Sequence, residues 1–385
     1  LYGKIRQGSN PYTFSSRLVY SLNIIQSAEH PSSNQTEQLK MPRTNGMTSS
    51  VRPLWIRSTA HYLPSQQVTS LALDEQLGLS SGQVEAVSGV RQRYMAAPGE
   101  SAAQLAAEAA RLALARAGIS LEDVDCLVAV SATMDQAMPS NAALIHAELD
   151  LSSSGVPAFD INASCLGFLA ALDNLSWPLA AGRYRCLLLV AADLASCGLD
   201  WSQLESSAIF GDGAAAAVLS PPPADTSPAD VPVLLASRLR TYSEGVHWCE
   251  IPAGGSRYHP KRITQPFAPL THFRMEGKKV FRLASRYLPQ FVSELLDEAG
   301  LGLEDIDWIV PHQASHLALS HLTLRMGFAP EKVINIFAEY GNQVAASLPT
   351  ALDLAIADGR IQRGQRLLLL GTGAGLSIGG AVVVY

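Results

Sequence analysis

Two stretches far apart in the chain are near copies of each other. ARAGISLEDVDCLVAVSAT occupies 115–133 and DEAGLGLEDIDWIVPHQAS occupies 297–315. Each reads as a helix end stopped at Gly, a Leu-Glu-Asp turn, then an apolar strand rich in β-branched residues. A second pair follows in the same order, AGRYRCLLLVAAD (181–193) and QRGQRLLLLGTGAG (362–375). Leu121 and Leu303 are 182 residues apart, and Leu187 and Leu367 are 180 apart. A near-constant offset of that size predicts two similar halves, because solenoid repeats recur every ~20–50 residues.

Within each half, helical stretches such as SAAQLAAEAARLALARAG alternate with short apolar strands, which predicts α/β layers with buried strands. The Pro-rich LSPPPADTSPADVP (219–232) is the expected joint, with the halves at 54–222 and 223–385. Residues 1–53 differ. HPSSNQTEQLKMPRTNGMTSSVRP is polar and aperiodic, so this span is expected to be an irregular or disordered leader. RLVYSLNII ahead of it lacks a small-residue cleavage site, so no signal peptide is expected. The pattern becomes regular near Leu54, just after Met41 and Met47. Removing residues 1–46 is therefore expected to leave fold and activity nearly unchanged. Thermal unfolding checks this: a fall in Tm of several degrees would show that these residues pack on the domain.

Composition narrows the function classes. The net charge of −6 offers no basic stripe for phosphates, so nucleic acid is not an expected partner. No apolar run reaches the roughly 18 residues of a membrane helix. Five cysteines, odd in number and without CxxC pairs, read as reduced thiols of a cytoplasmic protein.

Duplicated α/β halves tend to hold their ligand at the crevice they share, near the strand ends. Three residues stand at such ends. Cys165 lies in FDINASCLGFLAALD (159–173), where a strand-like stretch turns into a helix-like one. It reads either as a small buried hydrophobe or as a thiol placed where a helix N-terminus stabilises a thiolate. The corresponding stretch of the second half, EYGNQVAASLPTALDLAI (339–356), carries Asn342, and His312 ends the copied strand in PHQASH. Other features read as structure. GDGAAAA (211–217) lacks the Lys-Ser/Thr of a phosphate loop and is expected to be tight packing beside the site. His312 and His316 have i, i+4 spacing but no Glu after the first, so no metal site is expected. Cys126, Cys186 and Cys197 are expected in the core, and Cys249 in HWCEIP carries no functional signal.

Taken in order, YLP (62–64), SGVRQR (88–93), MPSNAA (138–143), the Cys165 motif, IFGDGAAAAVL (209–219), DWIVPHQA (307–314) and YGNQVAASLPTALD (340–353) resemble β-ketoacyl-acyl-carrier-protein synthase III, of the thiolase superfamily. The resemblance spans nearly all of 54–385. It implies a thiolase-like fold, two duplicated α/β halves in five layers (α-β-α-β-α), and a homodimer. It also implies that Cys165 is the acylated nucleophile, and that His312 and Asn342 stabilise the enolate left when a malonyl thioester loses carbon dioxide. The helix beginning near Leu166 is expected to depress the thiol pKa. Backbone N–H groups of Cys165 and Ala374 are expected to form the oxyanion site of acyl transfer. No cofactor is expected, only acyl and malonyl thioesters of carrier protein or CoA.

The sequence also departs from the family pattern. Gln83, Val87, Leu204 and Leu317 stand where family members grip CoA with a Trp and several Arg. The acidic acyl carrier protein is expected to dock at Arg282 and Arg325. Met138, reaching across the dimer, takes the place of a bulky Phe at the acyl-pocket floor, and its flexibility admits a longer acyl chain. The expected activity is decarboxylative Claisen condensation in fatty acid or specialised lipid and polyketide synthesis. Alternatives are an acyltransferase that passes the acyl group to an alcohol or amine, and a silent partner subunit of a heterodimer.

Overall fold

Strand pairing reproduces the sequence repeat. The computed structural model describes residues 51–226 and 231–385, so nearly all of the expected leader lies outside the described residues. The first half runs β1 (Arg52–Pro53), β2 (Trp55–Tyr62), β3 (Gln66–Thr69), α1 (Ser70–Leu77), α2 (Gln83–Ser88), β4 (Gln92–Met95), α3 (Ala102–Ala117), β5 (Cys126–Val130), α4 (Asn141–Glu148), β6 (Ala158–Asp160), α5 (Gly167–Ala180), β7 (Leu187–Asp193), α6 (Leu204–Ser207) and β8 (Gly213–Ser220). The second half runs β9 (Val233–Thr241), β10 (Cys249–Glu250), β11 (Arg274–Met275), α7 (Gly277–Ala299), β12 (Trp308–Pro311), α8 (His316–Met326), α9 (Phe337–Tyr340), α10 (Ser347–Ala357), β13 (Arg366–Gly373) and β14 (Ser377–Val384).

One sheet has the order β2-β8-β7-β5-β6 and the other β1-β9-β14-β13-β12. In each, a parallel pair, β5 with β7 or β12 with β13, continues into antiparallel neighbours on one side, and in the first sheet β6 adds a second parallel pair on the other side of β5. A single parallel bridge from Ile309 to Val333 stands where β6 flanks β5. The two Leu-Glu-Asp turns form matching single 3-10 turns, 121–123 and 303–305, each closed by an Asp side chain on the backbone N–H of the residue before the turn.

The apolar strands are buried on both faces, and their alternation sorts the layers. Leu187 and Leu189 face a central cluster while Leu188 and Val190 face an outer one with α3 and α4. On β13, Leu367 and Leu369 face the same centre, and Leu368 and Leu370 face α7. Between the sheets lie α5 and α10, whose Phe168, Leu172, Leu348 and Leu352 fill the centre. A helix covered by a sheet on each side can be apolar almost all round, which is how both read. Each such leucine stabilises the fold by about 1.5–3 kcal/mol. The α3 helix starts at a Ser101/Gln104 capping box and stops at Gly118, with φ 64°.

The structure departs from the expected leader at its end. Arg52 and Pro53 pair with Leu234 and Val233 at the edge of the second half's sheet. Pro is tolerated there because an edge strand does not need every N–H. Arg52 is 4 % exposed, and its Nη1 donates to Asp173 Oδ1 on α5 at 2.8 Å. Two residues read as leader therefore tie the central helix to the outer strand.

Candidate active site

Cys165 stands one residue before the N-cap of α5. The chain reaches it through a tight turn in which Ser164 takes φ 51°. Asn162 Oδ1 accepts the Ser164 N–H at 2.8 Å and holds that uncommon conformation. No side chain caps α5, and the N–H groups of Leu166 and Gly167 donate to Ala163 O at 3.1 Å and Ser164 O at 2.9 Å within the turn. Cys165 is half-buried. Burial pushes its pKa well up, and the neighbouring Cys249 and Asp193 add to the rise. The backbone N–H groups of Ala374 and of Cys165 pull the other way. The expectation of a depressed thiol pKa is thus corrected: loss of water outweighs the amides. These are the two amides expected to form the oxyanion site.

His312 directly follows β12, and its N–H donates to Leu370 O on β13 at 2.8 Å. Gly371 is required beside it. A Cβ on Gly371 would lie 2.9 Å from His312 Cβ and 3.0 Å from Leu166, so glycine lets β13 wedge between the histidine and the head of α5. His312 is 5 % exposed, and burial lowers its pKa to about 4. The ring is therefore neutral near pH 7, with one N–H to donate. Its Nδ1 has no hydrogen-bond partner.

Asn342 follows α9, and its backbone is stitched to the first half: its N–H donates to Ile209 O at 2.8 Å and its carbonyl accepts from Gly211 at 3.1 Å. Its side-chain Nδ2 donates to Ala314 O at 3.2 Å, two residues beyond His312. Its Oδ1 accepts from Val344 N–H at 2.8 Å and Ser347 Oγ at 3.3 Å. The amide is oriented, and one Nδ2 hydrogen is free of these bonds. The GDG segment packs tightly here, as the sequence predicts. A Cβ on Gly213 would meet Gln343 Nε2 at 2.2 Å, and one on Gly211 would meet Tyr340 O at 2.3 Å.

An apolar cluster of Phe210, Leu319, Phe337 and Val344 packs around Cys165, with Phe273 and Met275 at its margin. Cys249 is opposite Met275 on the β10–β11 pair, so the two side chains share a face. Sequence reasoning passed over Cys249, Phe273 and Met275, whose long irregular connection has no periodicity. The remaining candidates are placed as follows. Cys126 and Cys186 are buried, but Cys197 is exposed, contrary to the core expectation, because its single 3-10 turn lies outside the sheets. Met138 is 84 % exposed between β5 and α4, so within one chain it walls no acyl pocket. Arg282 and Arg325 are exposed on α7 and α8, which meet through Ser285 Oγ and His321 Nε2, 3.1 Å apart. Leu317 and Leu324 on α8 are 75 % and 81 % exposed. Among the described residues no helix is long and apolar enough to cross a membrane.

Comparison with known proteins gives a consistent picture. Residues 159–234 match the family model for 3-oxoacyl-[acyl-carrier-protein] synthase III, and residues 296–385 match the model for its C-terminal part. The chain is 34% identical over 330 residues to β-ketoacyl-[acyl-carrier-protein] synthase III of Neisseria gonorrhoeae, covering 86% of this chain and 98% of that protein. The enzyme of the same name from Symbiobacterium thermophilum is 34% identical, with 85% and 96% covered. Among solved structures, the synthase III (FabH) of Pseudomonas aeruginosa PAO1 superposes with a TM-score of 0.76 at 32% identity, covering 87% of this chain and 98% of that one. An OleA variant of Xanthomonas campestris superposes with a TM-score of 0.73 at 25% identity, with 87% and 99% covered.

Proposed function

The chain belongs to the β-ketoacyl-acyl-carrier-protein synthase III family of condensing acyltransferases, and from that premise we propose that Cys165, His312 and Asn342 divide its reaction in two. In the first step the Cys165 sulfur attacks an acyl thioester carbonyl. The carbonyl oxygen, negatively charged in the tetrahedral intermediate, takes hydrogen bonds from the N–H groups of Cys165 and Ala374. The old C–S bond breaks and the departing thiolate takes up the proton that Cys165 gives up. In the second step a malonyl thioester loses carbon dioxide, and the electron pair of the broken C–C bond moves onto its thioester oxygen. The neutral His312 N–H and the free Nδ2 hydrogen of Asn342 donate to that enolate oxygen. The enolate carbon then attacks the acyl-Cys165 carbonyl, a C–C bond forms, and the Cys165 sulfur leaves.

What supports this reading is the pull of the Ala374 and Cys165 amides on the Cys165 thiol, together with a neutral buried His312 and an Asn342 amide oriented by Ala314. A metal or other cofactor has no part in it. Retention of both donors favours condensation over transfer to an alcohol or amine, which needs no enolate site.

The partner is an acyl carrier protein, docking near Arg282 and Arg325. A second copy of the chain completes the assembly: β6 is a free sheet edge with Phe159 39 % exposed, and the loop before α4 presents Met134 and Met138. Free cysteines and carrier-bound substrates support a cytoplasmic location. The donor preference is testable. Val87 and Leu317 are exposed apolar residues where family members hold adenine and phosphates, so CoA has only its pantetheine arm to bind by. Acylation of Cys165 from a carrier protein is expected to exceed that from CoA by about tenfold, equivalent to ~1.4 kcal/mol of binding. Measured kcat/KM for one acyl chain on each carrier decides it. An equal or better CoA thioester would mean that adenine binds elsewhere.

A further inference from the structure

The turn that carries Asn342 is held in a conformation its sequence resists. Val344 has φ 54°, in the left-handed region that a β-branched residue avoids. In that conformation its N–H points back to Asn342 Oδ1 at 2.8 Å. Two side chains hold the turn from outside. Ser347 Oγ accepts the Gln343 N–H at 2.8 Å and donates to Asn342 Oδ1 at 3.3 Å. Asp193 Oδ2, at the end of β7 in the other half, accepts the Ala345 N–H at 2.9 Å.

Asp193 is fully buried, and no Lys, Arg or His forms an ion pair with it among the described residues. Its other oxygen, Oδ1, accepts from Ser131 Oγ at 3.1 Å, Ala132 N at 2.8 Å, Thr133 N at 2.7 Å and Thr133 Oγ1 at 2.8 Å. Five donors and no acceptor meet this carboxylate, and it joins the loop after β5 to the Asn342 turn. An amide rotated by half a turn would set its NH2 against the Val344 N–H and its oxygen against Ala314 O. The orientation of Asn342 thus depends on the strained turn, and the strained turn depends on its two outer holds.

We propose that Asp193 and Ser347 are positioning residues for decarboxylation, keeping the Val344 turn in the conformation that aims the Asn342 amide at the developing enolate. This rests on the reading of Asn342 as an enolate donor. Asp193→Asn tests it selectively. Its Oδ1 can still serve the four donors of the β5 loop, while its NH2 confronts the Ala345 N–H. With acyl-Cys165 protein and malonyl carrier protein, carbon dioxide release is expected to fall about 30-fold in kcat with KM little changed, a misaimed donor costing less than a deleted one. Acylation of Cys165 is expected not to fall and to rise by a few-fold at most, since its amides are untouched and losing the Asp193 charge removes one of the groups that raise its thiol pKa. Asp193→Asn combined with Asn342→Ala is expected to be no slower than Asn342→Ala alone, because both act through one amide.

Equal loss in both half-reactions, or losses that multiply in the double variant, would overturn the proposal. Should Asp193→Asn fail to fold, Ser347→Ala releases the same Oδ1 and is expected to give the same split; an equal loss there overturns it too. Failure of the underlying reading shows separately. Wild-type protein that gains acyl mass but releases no carbon dioxide, or Asn342→Ala as fast as wild type, would remove the enolate role before any Asp193 variant is made.

Discussion

His312→Ala and Asn342→Ala each slow release of carbon dioxide from malonyl carrier protein by about 10²–10³-fold, as loss of a preorganised donor does. Self-acylation of Cys165 changes far less in both, because its oxyanion is served by backbone N–H groups that neither substitution removes. The asymmetry follows from the hydrogen bonds. Asn342 is bonded to Ala314 and Val344, while the amides that act on the sulfur are those of Ala374 and Cys165. The buried ring of His312, with its pKa lowered to about 4, stays neutral from pH 8 down to about 5. Across that range its donor role is not switched by its own titration. Stopped-assay acylation and carbon dioxide release, measured on the same preparations, check the split. Equal losses in the two steps would reverse the assignment of roles.

Cys165→Ala abolishes covalent acyl mass altogether and lowers condensation by at least about 10³-fold, since the nucleophile of a two-step transfer has no substitute. Cys249 is the informative control. Its charge acts on Cys165, and burial pushes its thiol up to about 11. Cys249→Ala is expected to gain acyl mass normally. Peptide mapping that finds the acyl group on Cys249, or on any cysteine other than 165, would contradict the assignment.

Much of this architecture is legible in the chain because it is written twice. The matching Leu-Glu-Asp turns and the Leu-rich strands fix two halves, and the pairings β5–β7 and β12–β13 follow. Cys165, His312 and Asn342 are legible for a related reason: each stands at the end of a helix or strand, just before α5, after β12 and after α9. What escaped is held by contacts that leave no local signature. Asp193 reads as the last residue of an apolar strand, and its partners are mostly backbone amides, which every residue possesses. Cys249, Phe273 and Met275 reach the site from an irregular connection by a two-residue strand pair. Arg52 and Pro53 read as leader because their partners lie some 120 and 180 residues away. The raised Cys165 pKa is not legible because helix position is visible in sequence and loss of water around the sulfur is not.

The central claim is that one chain carries both half-reactions through Cys165, and a single-turnover experiment tests it most directly. The wild-type protein is loaded from an acyl-carrier thioester, freed of excess donor, and mixed with malonyl carrier protein while intact mass and carbon dioxide are followed. The account predicts that acyl mass resides on the Cys165 peptide, then disappears as carbon dioxide and 3-oxoacyl carrier protein appear in equal amounts. Acyl mass that persists, or that leaves to an alcohol or amine without carbon dioxide, would contradict it.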